Sequence, residues 1–395
     1  MQRLIQASLE GNTARVTALL DGAVNPRELV NRGNEMGFAA LHIAVMMGAA
    51  DCARKLLDAG ADPKSRTTEG ATPIVMAAQG AGPGAPSELQ EGGAAKCIEY
   101  LLAAGVDQTE RDEQSRLPST LVGWGGGGGG GVVGTVPLHT ALYSGRLGAF
   151  KALLAGPGGE VAANTKDSQG ATPFHIACRE KGAAGGAAAM ALLDESCPVM
   201  VDVDVRDDEG RTPLYDATHH GHAGVVKLLL AAGCDPSLGD SSGMTPLSAA
   251  AWLGEEACLD MILETESGLA TVEMANNLGA TPLIFACQEN RRSITEKLIA
   301  AGANLDTRDV MGKTPYLAAK AWNASACLEL LREEHGRPTS EEESFDLGGP
   351  AAAAVLRAGT LEVDRDGAVA FSVAEAKETG AATGAASAAG PAPAS

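Results

Sequence analysis

Gly210-Arg211-Thr212-Pro213-Leu214-Tyr215-Asp216-Ala217, followed after a polar turn by Leu229-Leu230-Ala231-Ala232-Gly233, is the stretch whose reading decides the fold. Gly210 can accept the positive φ of a tight turn. Thr212 suits the capping position of a helix, and Pro213 at the first helical position loses no needed hydrogen bond. A short Ala-rich helix follows, then a turn, then a second helix with Gly233 as its C-terminal stop. The unit is a helix pair approached through a hairpin.

The same unit recurs along the chain. Its Thr-Pro opening, or a worn version of it, stands at Ala39-Ala40, Thr72-Pro73, Val136-Pro137, Thr172-Pro173, Thr245-Pro246, Thr281-Pro282 and Thr314-Pro315. Pro213 and Pro246 lie 33 residues apart, as do Pro282 and Pro315, and the other gaps are that spacing plus an insertion. The second-helix ending returns at Leu56 to Gly60, Leu101 to Gly105 and Leu298 to Gly302. Leu4 to Ala23 makes a first unit without the Thr-Pro opening, as a capping repeat would. A fixed period of this kind marks a stacked array, in which each unit contacts only its neighbours.

Leu41-His42-Ile43-Ala44 and Phe174-His175-Ile176-Ala177, with Pro137-Leu138-His139 in part, complete a motif that resembles the ankyrin repeat. The resemblance covers residues 1 to about 335 as about nine helix pairs, and departs most at Val136, where the family has Thr. It implies an all-α solenoid of stacked helix-turn-helix units with short β-hairpin fingers. The expected organisation is an array over 1–337, with insertions near 80–93 and 113–134, and an acidic, Ala/Gly/Pro-rich tail over 338–395. That tail cannot bury much apolar surface and reads as mostly disordered. Within it Leu361-Glu362-Val363 and Val369-Ala370-Phe371 flank Asp366-Gly367, a hairpin signal.

Composition agrees with thin helices. Aromatics are 3% of the 395 residues, while Ala and Gly abound. The formal charge of −20 argues against nucleic acid, whose binding draws on Lys and Arg displacing counterions. No apolar run suits a secretory signal or a spanning helix, so the expectation is a soluble intracellular protein, cytoplasmic or nuclear, without membrane insertion.

Candidate chemistry is sparse. Gly125 to Gly131 is seven glycines in a row, but no Lys follows to complete a phosphate loop, so the run reads as a flexible linker. Cys52, Cys258 and Cys327 each lie thirteen residues after their unit's Thr position, and Cys97 occupies the same slot. Cys178 and Cys287 share another slot, six after the Thr. Helices packed about 8–10 Å apart keep equivalent cysteines from bridging, so these read as small core residues. Asp216, His219, His220 and His222 form the one enzyme-like group. It admits a metal or acid–base site, a hydrogen-bonded Asp–His pair, or a partner contact. No catalytic residue, cofactor or metal site is assigned.

In the ankyrin family the ends of the first helices and the hairpin tips line a concave surface that meets the partner. The corresponding helix ends here are Met46 and Met47, Gln79, Tyr143, Arg179, His219 and His220, Trp252, Gln288 and Glu289, and Trp322. Two of the three tryptophans fall there, and Trp and Tyr are enriched at binding hot spots. The competing reading is that Trp252 and Trp322 fill gaps between helices. The function implied is a scaffold or adaptor for a protein partner, not an enzyme. A regulatory subunit or inhibitor of a partner enzyme is the alternative.

Overall fold

The computed structural model describes residues 1–80, 87–109, 135–180, 183–194, 197, 199–335, 361–363 and 369–371. The chain divides into a region over 1–344 and another over 345–395. Among the described residues of the first, nine helix pairs follow one another, numbered here as units one to nine. The first helices are Gln2–Leu9, Ala40–Met46, Pro73–Gln79, Pro137–Tyr143, Pro173–Arg179, Pro213–His219, Pro246–Leu253, Pro282–Gln288 and Pro315–Ala321. Their partners are Thr13–Asp21, Ala50–Asp58, Ser87–Ala103, Leu147–Ala155, Ala183–Leu193, Ala223–Ala231, Glu256–Leu263, Arg292–Ala300 and Ser325–His335. In the second region Leu361–Val363 pairs antiparallel with Val369–Phe371, Leu361 facing Phe371. The Asp366-Gly367 turn signal, the rest of the tail, and the whole 113–134 insertion with its glycine run lie outside the described residues.

Each first helix has orphan N–H groups at its start, and in six of the nine units a side chain meets them in one of two ways. In units six, seven and nine the Thr hydroxyl caps the helix, accepting from Tyr215 N–H and Ser248 N–H at 3.2 Å and from Leu317 N–H at 3.3 Å. In units two, four and five a buried His takes over. His42 Nδ1 accepts from Ala39 N–H at 3.2 Å, and its Nε2 meets the Ser65 carbonyl of the next finger at 3.2 Å. His139 and His175 repeat the bridge, to the Ala171 and Arg211 carbonyls. A ring that accepts at Nδ1 carries its proton at Nε2, so each His donates across the unit boundary.

The fingers are tight turns centred on a glycine at positive φ two residues before the Thr position. Gly210 is typical, with φ 75°. A Cβ there would also lie 3.0 Å from Ser241 N in the next finger. Five residues before the Thr position unit three has Thr67, while in units two and five to nine stands an Asp or Asn whose Oδ1 accepts from N–H groups of its own finger. Asp240 does so from Ser242 at 2.9 Å and Met244 at 2.9 Å, and Asn276 from Leu278 at 3.0 Å and Ala280 at 2.9 Å. Successive fingers are then tied together by one backbone bond each. Thr68 N–H donates to Met36 O, Asp208 to Gln169 O, Ser241 to Glu209 O, Asn277 to Ser242 O and Val310 to Leu278 O, all at 2.8–3.1 Å.

One apolar core runs through the array from Leu4 to Leu331. Its repeating members are second-helix residues such as Leu56, Leu229, Ile262 and Leu298, all fully buried. Cys52, Cys97, Cys258 and Cys327 fill the neighbouring slot, also without exposure, and all eight cysteines are free thiols. The second helix of unit three begins at Ser87, within the 80–93 insertion, and so gains extra turns. Gly93 lies where a Cβ would fall 2.0 Å from the Gly48 carbonyl oxygen, so only glycine permits that helix to seat against unit two.

Stability should therefore be close to one-dimensional. Leu229→Ala is expected to cost about 2–5 kcal/mol while the N-terminal units stay folded. Hydrogen exchange checks this: protection should fall around residues 213–231 and persist in residues 2–58. Simultaneous loss at both ends would contradict nearest-neighbour energetics.

Candidate protein-binding surface

The structure puts the sequence-derived positions at the C-terminal ends of successive first helices, once per unit. Met46, Met47, Gln79, Arg179, His219, His220, Trp252 and Gln288 are half-buried. Glu289 is exposed, and Tyr143 and Trp322 are 37% and 38% exposed. These side chains do not converge on one point. They form a row, and the chemistry varies along it.

The middle of the row is ionic. Arg179 of unit five donates from Nε to Asp216 Oδ2 at 2.8 Å, and its Nη2 reaches Asp207 Oδ2 at the base of the unit-six finger. Asp207 also receives Arg211 Nε at 2.9 Å, and Arg211 Nη2 pairs with Glu209 at 2.9 Å. Burial works against the charge of Arg179, but Asp216 and Asp207 more than offset it and hold its pKa above the ordinary value. Tyr143 extends the chain, with its hydroxyl 3.5 Å from Asp167 Oδ2. Burial, then the Asp167 charge, push that phenol up.

Asp216 therefore belongs to an arginine and not to a histidine. Its carboxylate is nearly inaccessible, at 1% exposure, and only its backbone carbonyl meets His220, at 2.9 Å from Nδ1. The sequence offered an Asp–His pair because both lie on one helix. The actual partner is 37 residues away, where no helical spacing rule could point to it. His219 stacks on Tyr215 and His220 on His222, while His219 meets His220 edge to face with ring centroids 5.0 Å apart. Nε2 of His219 and of His222 are buried without a hydrogen-bond partner. Burial, aided by the neighbouring His220, lowers the His219 pKa to about 4. Among the described residues no three His, Cys, Asp or Glu side chains come together as a metal site requires. Burial also drives the Cys97 and Cys258 thiols up to about 12, so neither is a thiolate at neutral pH.

Toward the C-terminal units an apolar cluster underlies the row, whose members there are Trp252, Gln288, Glu289 and Trp322. Tyr215, Met244, Ala249, Ala280, Ile284, Phe285 and Ala318 form a second cluster, separate from the main core, and Trp252 packs against it. Trp252 thus has a packing role on one face. Trp322 belongs to neither cluster. Exposed apolar residues continue onto the finger tips, with Leu278 at 40%, Val310 at 69% and Met311 at 56%.

The family model described as ankyrin repeats in three copies matches residues 4–112 and 182–272, and the single ankyrin repeat matches 278–310. Together these span more than half of the chain. The unmatched residues 137–179 nevertheless hold the same helix pairs, including the unit that opens on Val136. The chain is 29% identical over 167 residues to the B-cell lymphoma 3 protein homolog of Mus musculus, covering 42% of this chain and 37% of that protein. It is 32% identical over 159 residues to the neurogenic locus notch homolog protein 1 of Homo sapiens, and 33% over 155 residues to that of Cricetulus griseus. Each of the latter matches covers about two fifths of this chain but 6% of the relative. The chain thus spans well under half of these relatives.

Two outcomes follow from the ionic centre. Arg179→Met leaves the buried Asp216 carboxylate uncompensated and should cost about 3–5 kcal/mol in urea unfolding. Adding Asp216→Ile, the residue type of Ile43 and Ile176 in that slot, should recover most of the loss. The second concerns pH. His219 has a depressed pKa in the folded state, so its contribution is present above about 6.5 and is lost as pH falls towards about 4. Wild-type melting temperature should fall more steeply over that window than that of His219→Gln. Parallel curves would show that burial of His219 does not carry the effect.

Proposed function

Because the chain belongs to the ankyrin-repeat family, we propose that it is a scaffold or adaptor that binds a protein partner along the row from Met46 to Trp322. Repeat arrays host unrelated ligands on one architecture, so the reading rests on the row and not on the fold. The observation that carries it is Trp322. The core of unit nine is complete beneath it, with Leu317, Ala318 and Ala319 at 1% exposure or less, yet the indole stays 38% exposed. An aromatic of that size left more than a third exposed at the end of a first helix fits an anchor for a partner. Met46, Met47, Tyr143, Arg179, His219, His220, Trp252, Gln288 and Glu289 extend the contact along the row. Arg179 serves it indirectly, since its charge is spent on Asp207 and Asp216. No helix among the described residues is long and apolar enough to cross a membrane.

Affinity purification with mass spectrometry, using Trp252→Ala/Trp322→Ala as the control, identifies the partner. Titration of that partner should then show Trp322→Ala weakening binding about thirtyfold, equivalent to about 2 kcal/mol, with an unchanged melting temperature. Trp252→Ala should lower both affinity and stability, because the ring also covers the second apolar cluster. Normal binding by the double mutant would place the interface off the row.

A further inference from the structure

Two fingers of the array share one frame and differ in a telling way. Unit six reads Arg206-Asp207-Asp208-Glu209-Gly210-Arg211-Thr212-Pro213, and unit nine reads Arg308-Asp309-Val310-Met311-Gly312-Lys313-Thr314-Pro315. Both keep the first cation, the turn-forming Asp, the Gly and a cation just before the Thr. The two acidic tip residues of unit six are replaced by Val and Met in unit nine.

The replacement changes what surrounds the second cation. In unit six Arg211 is neutralised by Asp207 and by Glu209. In unit nine the residue equivalent to Glu209 is Met311, which has no charge. Asp309 directs Oδ1 to its own finger, accepting from Met311 N–H at 2.9 Å and Lys313 N–H at 2.8 Å. Lys313 is 6% exposed, and no carboxylate among the described residues lies within ion-pair distance of its ammonium. An ammonium that keeps its contact with solvent at the end of a largely buried stem, without a counter-charge, favours an incoming anion.

The backbone is incomplete at the same place. At the five boundaries described above, the residue three before the Thr offers its carbonyl to an N–H of the following finger. In unit nine that residue is Met311. Among the described residues its carbonyl has no such partner. Leu278, Val310 and Met311 lie on adjacent fingers joined by the Val310–Leu278 bond and expose their side chains beside this open carbonyl.

We infer that the finger of unit nine binds an extended acidic–apolar segment of a protein partner. The segment takes at Met311 the place that the following finger takes at the other boundaries. One backbone N–H of the segment donates to Met311 O, a Glu or Asp carboxylate takes on Lys313 the position Glu209 takes on Arg211, and flanking apolar side chains cover Leu278, Val310 and Met311. This is strand-type addition at an unpaired edge, with charge and apolar contacts supplying selectivity. The inference rests on the reading of the array as a protein-binding module and places one contact at its C-terminal edge.

The test uses the full chain and an array of 12-residue peptides with a fixed apolar–Glu–apolar core, and matched arrays in which Glu is replaced by Gln or Lys. The strongest binders are then titrated by fluorescence anisotropy. Glu-core peptides should bind about tenfold more tightly than their Gln counterparts. Lys313→Met, which keeps the buried stem, should remove that preference, and Lys313→Arg should retain it. Lys313→Glu should reverse the preference towards Lys-core peptides. Equal affinity for Glu and Gln cores would overturn the inference, as would a preference that survives Lys313→Met. Binding lost in Trp322→Ala but unaffected at Lys313 would also overturn it while leaving the row itself intact. Self-association of the chain that disappears in Lys313→Glu would overturn it in favour of a second copy as the occupant. Absence of any peptide binding would overturn it too, with the partner titration of the tryptophan variants deciding the broader reading separately.

Discussion

A helix pair built mainly from alanine and leucine cannot enclose its own apolar face, and everything else in this protein follows from that constraint. Leu56, Leu229, Ile262 and Leu298 are fully buried only because the next unit stands against them. Burial of such side chains contributes about 1.5–3 kcal/mol each, so a unit is stable in proportion to the neighbours it has. The polar contacts obey the same logic. His42, His139 and His175 reach into the following finger, and the finger-to-finger backbone bonds cross every boundary at which both fingers are described.

Within the stacked frame some positions vary from unit to unit. The slot four residues after the Thr holds Ile43, Met76, Thr140, Ile176, Asp216, Ala249, Phe285 and Ala318 in units two to nine, and all but Ile43 are buried. The slot accepts an aspartate in unit six because Arg179 of unit five meets it, and apolar residues in units seven to nine because they pack on one another. The ionic centre has a cost. Arg179 and its aspartates are taken largely out of water, and such a group gains little over an apolar packing of equal volume. Its consequence is geometric, since it locks the end of one first helix to the finger of the next unit.

The period, the helix-opening threonines and prolines and the turn glycines were all legible, because each reflects a local rule of backbone conformation. The glycines two before the Thr position do adopt positive φ, and the cysteines at the repeating slots do lie in the core. Less was legible in the 80–93 insertion. Ser87 onwards continues as helix because Gly93 can pass the Gly48 carbonyl, a contact between residues 45 positions apart that no local preference announces. The two tryptophans are offset by one place in their units, Trp252 seven residues after the Thr and inside its helix, Trp322 eight after and at the C-cap; one covers an apolar cluster and the other is 38% exposed.

The sequence by itself determined the architecture, because a solenoid repeats one local solution and the helix openings, turns and stops encode it within about thirty residues. It also determined which positions face away from the core, since those follow from the helical period. Only the tertiary structure decided what those positions do. Asp216 meets Arg179 and not a histidine. Lys313, in the slot of Arg211, has no counter-charge among the described residues, from its own finger or from a neighbouring one. The reason is that charge pairing depends on which groups stacking brings within about 4 Å, and stacking joins residues some thirty to forty positions apart.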